Sequence, residues 1–538
     1  MNLSPGVTVA LAWLVFAAAV FGLAAPPEGE PGLYYDEAFM AQQARDFLEP
    51  ERPVRHPPGT STIEIAGRPF PVRNAAYLGS LKSQLLIPAF ALLGPGVTTL
   101  RTATLATALV ALLLLMLWAE RVFGMPTAVL GGALVASDPS FVFFGTCEWG
   151  PFTTMLLCRG AGLYALTVGW QERRSVLVVV GALAMGLGVY ARADFVIIGA
   201  ALALGLVVAR RDVLWREIAE RRGTVAAAAV ALVLGALPML VSVFDLLATQ
   251  QAISGRGDLG YRAQVLWSTL DGSHFHRLMQ TGGLFEPLFD TETVPSLLGV
   301  TVLAALGASL LPALRRRPTV AFLSVTVASL ATAMVLLPGA VRAHHMLNLL
   351  PFAHLLVAVV LVRAAASRRG RVPAVLLAVL LLASQARVVA ATLETIDETG
   401  GQGRWSGALT SFAAEIENEP DTTVVSLDWG FHEPLLFLTS KTNLVEAIWN
   451  IPRIVASGRA WAHAGDYDDV YLVHGPPYDL FGIGPGLLDV VRELPDHAAD
   501  LRLHRDREGG VSFYSIRFAE PHDLVFDGRW QVRMRPGT

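Results

Sequence analysis

Two adjacent carboxylates, Asp36 and Glu37, follow a tyrosine pair, Tyr34-Tyr35, about ten residues beyond a membrane-length apolar run that begins near Val7. That position puts acids where lipid headgroups meet water, a place where a carboxylate pair could do catalytic work or simply be solvated. Phe39, Met40, Ala44 and Phe47 fit one face of a short helix that starts at these residues. Asp36 can therefore also serve as an ordinary N-terminal cap, stabilised by free amides and the helix dipole.

Other charged side chains stand at comparable boundaries. Lys82, one of only two lysines, lies in the apolar segment Tyr77 to Leu93, which is too interrupted to cross a bilayer and is expected to lie flat along the interface. Its ammonium can snorkel to headgroups or bind a substrate anion. Arg192-Ala193-Asp194 interrupts the apolar stretch Ser175 to Ala209; a surface hairpin avoids leaving both charges in hydrocarbon, at roughly 2.5 to 3.5 kcal/mol each. Asp138 and Glu148 stand at the two ends of a short connection, with Trp149 next to Glu148. Arg342-Ala343-His344-His345 precedes another apolar run, and His56-Pro57-Pro58-Gly59-Thr60 has the stiffness of an ordered loop. Adjacent histidines on a helix point about 100 degrees apart and no third ligand is spaced to join them, so no metal site is expected. Cys147 and Cys158 give no disulfide framework.

The elements that must hold these groups are membrane helices. A chain of 538 residues that is 53% hydrophobic and 16% charged, with a mean hydropathy of +0.50, has the composition of a polytopic membrane protein. A net charge of -4 gives no basic footprint for nucleic acid. About eleven apolar runs approach the roughly 20 residues needed to span. They start near Val7, Thr98, Pro126, Pro151, Ser175, Phe195, Thr224, Val294, Thr319, His345 and Pro373. The first is read as a retained span, since Met1 to Thr8 holds no Lys or Arg for a signal peptide's positive region. With a cytoplasmic N-terminus, the arginine clusters near Arg173, Arg210, Arg221, Arg315 and Arg368 share one side, as the positive-inside rule requires. The opposite, external side receives the loops 26–97 and 248–294. The expected organisation is a membrane domain over 1–391 and a water-soluble α/β domain over 392–538. Strands are expected at Thr422 to Leu427, Asp469 to Val473 and Val511 to Ile516, with helices at Leu409 to Glu417 and Gly486 to Leu494. Gly482-Ile483-Gly484-Pro485-Gly486 is a poor phosphate loop, because proline removes an amide.

Asp36-Glu37-Ala38 with Ala44-Arg45, directly after a first span, resembles the first external loop of GT-C glycosyltransferases of the protein O-mannosyltransferase and aminoarabinose transferase type, glycosyltransferase family 39-like. Gly79-Ser80-Leu81-Lys82 resembles that family's lysine-bearing segment, and Ser137-Asp138-Pro139 through Cys147-Glu148-Trp149-Gly150-Pro151 falls in a loop where such enzymes carry acids. The likeness covers mainly the first third of the chain. It implies a GT-C helical membrane fold, here with a C-terminal extracytoplasmic α/β domain, in a bacterial inner (plasma) membrane. It further implies transfer of a sugar from a polyprenyl-phosphate-linked donor to a hydroxyl of a glycan, lipid or protein acceptor outside the membrane.

Under that resemblance Asp36 is the expected base, in a direct displacement that inverts the anomeric centre. Glu37, Glu148 and Asp138 are further catalytic candidates. Lys82, Arg192, Arg342 and His345 are candidates for the donor phosphate, and Tyr35, Trp149 and His56 for substrate contacts. No cofactor, nucleotide sugar or nucleic acid is called for. A transporter or flippase for lipid-linked sugars, a glycan polymerase or ligase, and a noncatalytic scaffold are the competing readings.

Overall fold

A computed structural model describes residues 4–24, 29–51, 59–241, 258–283, 291–337, 342–476 and 478–535; the expected substrate residue His56 lies outside them. The chain opens with α1 (Pro5–Ala24) and the short α2 (Tyr35–Leu48), then a small antiparallel sheet of β1 (Ser61–Ile65), β2 (Arg68–Ala75) and β3 (Leu78–Gly79). The helical body follows as α3 (Leu81–Leu93), α4 (Val97–Phe123), α5 (Met125–Ala136), α6 (Pro139–Phe144), α7 (Phe152–Gln171), α8 (Ser175–Ala191), α9 (Phe195–Glu220) and α10 (Arg222–Leu240). It continues through α11 (Leu259–Leu270), α12 (Ser273–Thr281), α13 (Leu298–Ser309), α14 (Pro318–Leu336), α15 (Ala343–Met346), α16 (Phe352–Ala365) and α17 (Arg368–Thr399).

A helix stands at each of the eleven expected span positions. By length and composition, six described helical stretches suffice to cross a bilayer: Pro5–Ala24, Val97–Phe123, Arg222–Leu240, Pro318–Leu336, Ala343–Ala365 and Arg368–Thr399. Met125–Ala136, Ser175–Ala191 and Leu298–Ser309 are apolar but shorter. The protein is thus a multi-pass helical membrane protein, and eleven crossings exceed what length and composition alone support.

Glycines set how tightly the body packs. A Cβ on Gly186 of α8 would come within 2.2 Å of the Leu232 carbonyl oxygen on α10, and one on Gly181 within 2.6 Å of the Leu166 amide on α7. Close backbone approach at small residues is how helices associate where lipid gives no hydrophobic drive. So α8 lies between α7 and α10, and the break at Arg192 sends α9 across to α14 rather than back along α8 as a tight hairpin.

Helix α17 ends in a left-handed glycine, Gly400 (φ 68°), followed by Gly401 (φ 88°) and Gly403 (φ 51°). Beyond these turns lie α18 (Ala408–Glu417), β4 (Val424–Ser426), α19 (His432–Leu438), β5 (Leu444–Glu446), α20 (Ile451–Ala456), β6 (Trp461–Gly465), β7 (Val470–Val473), α21 (Gly484–Glu493), β8 (Ala499–Arg505), β9 (Val511–Phe518), β10 (His522–Phe526) and β11 (Trp530–Met534). A mixed five-stranded sheet has the order β5-β4-β7-β9-β8, and a second sheet the order β11-β10-β6. The central strands β4 and β7 are buried along their length, and two apolar clusters flank them, one including Phe412 and Leu435, the other Leu487 and Ile451.

Helix α2 is the joint between the two halves. Arg45 donates to the Phe437 and Thr439 carbonyls at 2.5 and 3.0 Å, which ties α2 to the end of α19.

Candidate active site

The start of α2 is fixed before Asp36 is reached. The Tyr34 amide donates to Glu37 Oε1 at 3.2 Å in a capping box, and Arg101 of α4 grips both Glu37 oxygens, at 2.9 and 3.0 Å. Arg101 also donates to the Pro31 and Gly32 carbonyls at 2.9 and 3.2 Å, and both members of the pair are buried. Glu37, expected among the catalytic acids, has both oxygens engaged in holding the helix. A lone arginine five residues into an apolar run had been the available signal for this pair, because a buried guanidinium needs an acid partner.

Asp36, half-buried, faces a different set of groups. The Trp149 side chain donates a hydrogen bond to it, and the positive charges of Arg342 and Arg192 act on it. Burial outweighs these attractions and lifts its carboxyl to about 7. Aromatic rings wall the same place. Tyr34 stacks on Trp405 at 4.1 Å and meets Trp149 and Trp429 edge-on at 5.5 and 5.7 Å. Tyr35 leans on Trp429 at 4.5 Å with its hydroxyl donating to Glu446 at 3.2 Å, and Trp149 lies 5.2 Å from the His344 ring.

Arg192 pairs with Asp194 through Nε and Nη2, at 2.6 and 2.8 Å, and Nη2 also reaches the His344 carbonyl at 3.1 Å. His345 Nδ1 and Asn348 hold the other side of Asp194 at 2.8 and 3.2 Å. The break between α8 and α9 thus meets the turn at α15, and Arg192, Arg342 and His345 come together from two distant segments. Four buried polar atoms in this neighbourhood have no protein partner: Tyr34 Oη, Arg192 Nη1, His344 Nδ1 and Trp405 Nε1. Such atoms are costly to bury unless something else satisfies them.

Gly150 makes the approach possible. Its φ is +69°, and a Cβ there would sit 3.0 Å from Arg192 Nη1 and 3.5 Å from the His344 ring. Gly150→Ala is expected to cost about 1–2 kcal/mol through left-handed strain and to turn Arg192 away; thermal unfolding in detergent measures the first effect and a structure of the variant the second.

The remaining expected residues sit in separate pairs. Lys82 forms a buried ion pair with Glu148 and donates to Thr104 at 2.6 Å, while Glu148 also accepts from the Thr153 hydroxyl at 2.7 Å and caps α7. Both are spoken for, one residue from Trp149. Asp138 caps α6 through Ser140 and Phe141 and bonds His354 of α16 at 2.8 Å; no contact joins it to the Asp36 group among the described residues. No group of three or more His, Cys, Asp or Glu is placed to hold a metal among the described residues.

Trp405 and Trp429 were not foreseen. They arrive from the C-terminal region, where Arg404 fastens them: it donates to the Trp429 carbonyl, pairs with Asp428 at 2.9 Å and lies over the Trp429 ring at 5.4 Å. Nothing local in the sequence marks two tryptophans that act hundreds of residues away from their own segment.

No protein-family model matches the chain, and no curated protein sequence does. Solved structures do resemble it in fold. ArnT from Cupriavidus metallidurans in the apo state matches with a TM-score of 0.52 at 14% identity, over 96% of this chain and 99% of that one. The same protein bound to undecaprenyl phosphate matches with 0.51 at 13% identity, over 95% and 97%. An oligosaccharyltransferase from Archaeoglobus fulgidus, tethered to an acceptor peptide containing the NVT sequon, matches with 0.50 at 14% identity, over 81% of this chain and 63% of that one. All are GT-C folds, so the chain has the GT-C fold.

Proposed function

From a GT-C fold that joins Asp36 to cations and aromatic rings, we propose that the protein is a membrane glycosyltransferase that takes a sugar from a polyprenyl-phosphate donor and gives it to an acceptor hydroxyl at the external face. The observation that carries this reading is Asp36 itself: a half-buried carboxyl lifted to about 7, bonded by Trp149 and faced by Arg342 and Arg192. A general base works best when its pKa lies near the working pH. The likeness to a GT-C structure holding undecaprenyl phosphate supports the lipid-linked donor.

In the proposed step, Asp36 accepts the acceptor's hydroxyl proton as that oxygen bonds to the anomeric carbon. The bond from that carbon to the donor phosphate breaks, and its electron pair stays with the phosphate. A single displacement inverts the centre, and Asp36 then passes its proton to water. Arg192 Nη1 and Arg342 stabilise the growing phosphate charge, as fixed cations do in a water-poor site. His345 acts through Asp194 by holding Arg192. Lys82 reaches the phosphate only by exchanging Glu148 for it, so Lys82 and Glu148 are assigned to positioning Trp149 and α7. The aromatic walls, Tyr34, Trp149 and Trp405, suit the apolar faces of a sugar ring, with Tyr35 bracing them from the C-terminal side.

Two measurements test the reading. Mass spectrometry of envelope glycans, lipids and proteins, with and without the protein, should show one class losing a single sugar increment. No change in any class, together with no transfer from a polyprenyl-phosphate sugar by the purified protein in vesicles, overturns it. The rate at low substrate should also rise about tenfold per pH unit below the Asp36 transition and level off above about 7, since only the ionised base accepts a proton.

A further inference from the structure

A second pair of acids lies beside α2, next to Tyr35. Glu433 of α19 is fully buried, and neither of its carboxylate oxygens has a hydrogen-bond partner. Glu446 of β5 faces it and accepts from the Tyr35 hydroxyl at 3.2 Å. Helix α3 meets α19 through apolar Phe90 against Phe437, and Trp449 donates to Glu446. Helix α2 contributes Tyr35 and Asp46, the latter bonded to Gln42 at 2.6 Å, and places Arg45 on the carbonyls at the far end of α19. Strand β5 contributes Glu446, and α19 itself adds His432. The buried residues of α18 against α19, Ala408, Phe412, Ala413 and Ile416, are apolar. No cation faces Glu433 from α2, β5 or α18 among the described residues.

An ionised carboxylate buried without a donor or a counter-charge costs several kcal/mol, so the docked arrangement keeps this acid protonated. We infer that Glu433 and Glu446 form a proton-operated latch: while they hold protons the C-terminal domain stays docked on α2, and their ionisation loosens it. Burial, then Glu446 and Asp46, push the Glu433 carboxyl well above the usual range, and burial lifts Glu446 to about 7 against hydrogen bonds from Trp449 and Tyr35. Undocked and solvated, each returns to about 4.3. Both are raised in the docked state, so the docking free energy they contribute is complete below about pH 4.3 and is lost as pH climbs through about 7. Tyr35 precedes Asp36, so the latch regulates the base's position; that consequence alone rests on the transferase reading.

The test is amide hydrogen exchange of the full chain in detergent micelles at about pH 5.5 and about pH 8.5, with intrinsic rates divided out. The wild-type helix His432–Leu438 should exchange at least about tenfold faster at the higher pH, one proton released per opening giving tenfold per unit up to the docked pKa. Glu433→Gln, which keeps the shape and carries no charge, should show a reduced response, since Glu446 alone still titrates. A wild-type helix without a pH response, or a Glu433→Gln response equal to wild type, overturns the latch. If Glu433→Gln fails to fold, Glu446→Gln decides in the same way, a reduced response supporting the latch and an unchanged one overturning it. Asp36→Asn, run alongside, should retain the response of this helix; transfer activity is not read, so failure of the latch and failure of the transferase reading remain separable.

Discussion

Asp36→Asn is expected to lower sugar transfer by about two to four orders of magnitude, the usual contribution of a general base. Its unfolding midpoint should stay at the wild-type value or rise slightly above neutral pH. The amide keeps the shape and can still accept from Trp149, so the walls around it need not move. The sign of the stability effect follows from the lifted carboxyl. A group whose folded pKa is raised to about 7 contributes stability at low pH that is lost as pH rises through that value, and asparagine has no proton to lose. Activity in reconstituted vesicles and thermal unfolding of the same preparation measure both. Near wild-type transfer by a folded Asp36→Asn protein would end the assignment of the base.

Glu37→Ala, one residue away, should do the reverse, with its largest effect on the fold. Arg101 is fully buried, and Glu37 is its only carboxylate partner among the described residues. Removing one member of a buried pair leaves an uncompensated charge, which costs about 3–5 kcal/mol. The Pro31 and Gly32 carbonyls remain for Arg101, but a carbonyl dipole does not replace a carboxylate. Reversible denaturation in mixed micelles should show the loss. The double variant Glu37→Met with Arg101→Met should recover a large part of it, since an apolar pair of similar volume has no charge to strand. A mild Glu37→Ala protein would mean that α2 is held elsewhere, through Arg45 and the C-terminal domain.

The contrast between these neighbours shows where sequence reasoning reached and where it stopped. Charges interrupting apolar runs must sit at a boundary or find partners, so Asp36, Trp149, Arg192 and Arg342 could be placed at one end of the membrane domain from order and sidedness. Their convergence was legible. Which of two adjacent acids faces the site was not, because the choice depends on Arg101 reaching back from α4 to take Glu37. Lys82 and Glu148 were read as separate functional candidates, and their mutual pairing crosses two segments with no shared periodicity. The glycine contacts that set α8 between α7 and α10 show why a charged break need not return the chain on itself. In the C-terminal region, alternation and β-branched runs gave strands near their observed places, yet Trp405, Trp429 and Glu446 carried no mark of their destination. Their roles arise only when α2 is clamped between the two halves.

The glycine turns after α17 have a practical consequence. Gly32 donates to the Trp405 carbonyl at 2.6 Å, and a Cβ on Gly401 would come within 2.2 Å of that same oxygen. The tryptophan therefore belongs to the helical half by location and to the C-terminal half by chain. A graft that swaps C-terminal portions at the end of α17 would bring a foreign ring against Tyr34, whereas a junction placed after Ser406 would leave the native one behind. Under the transferase reading, specificity should travel with the seven residues between those two seams.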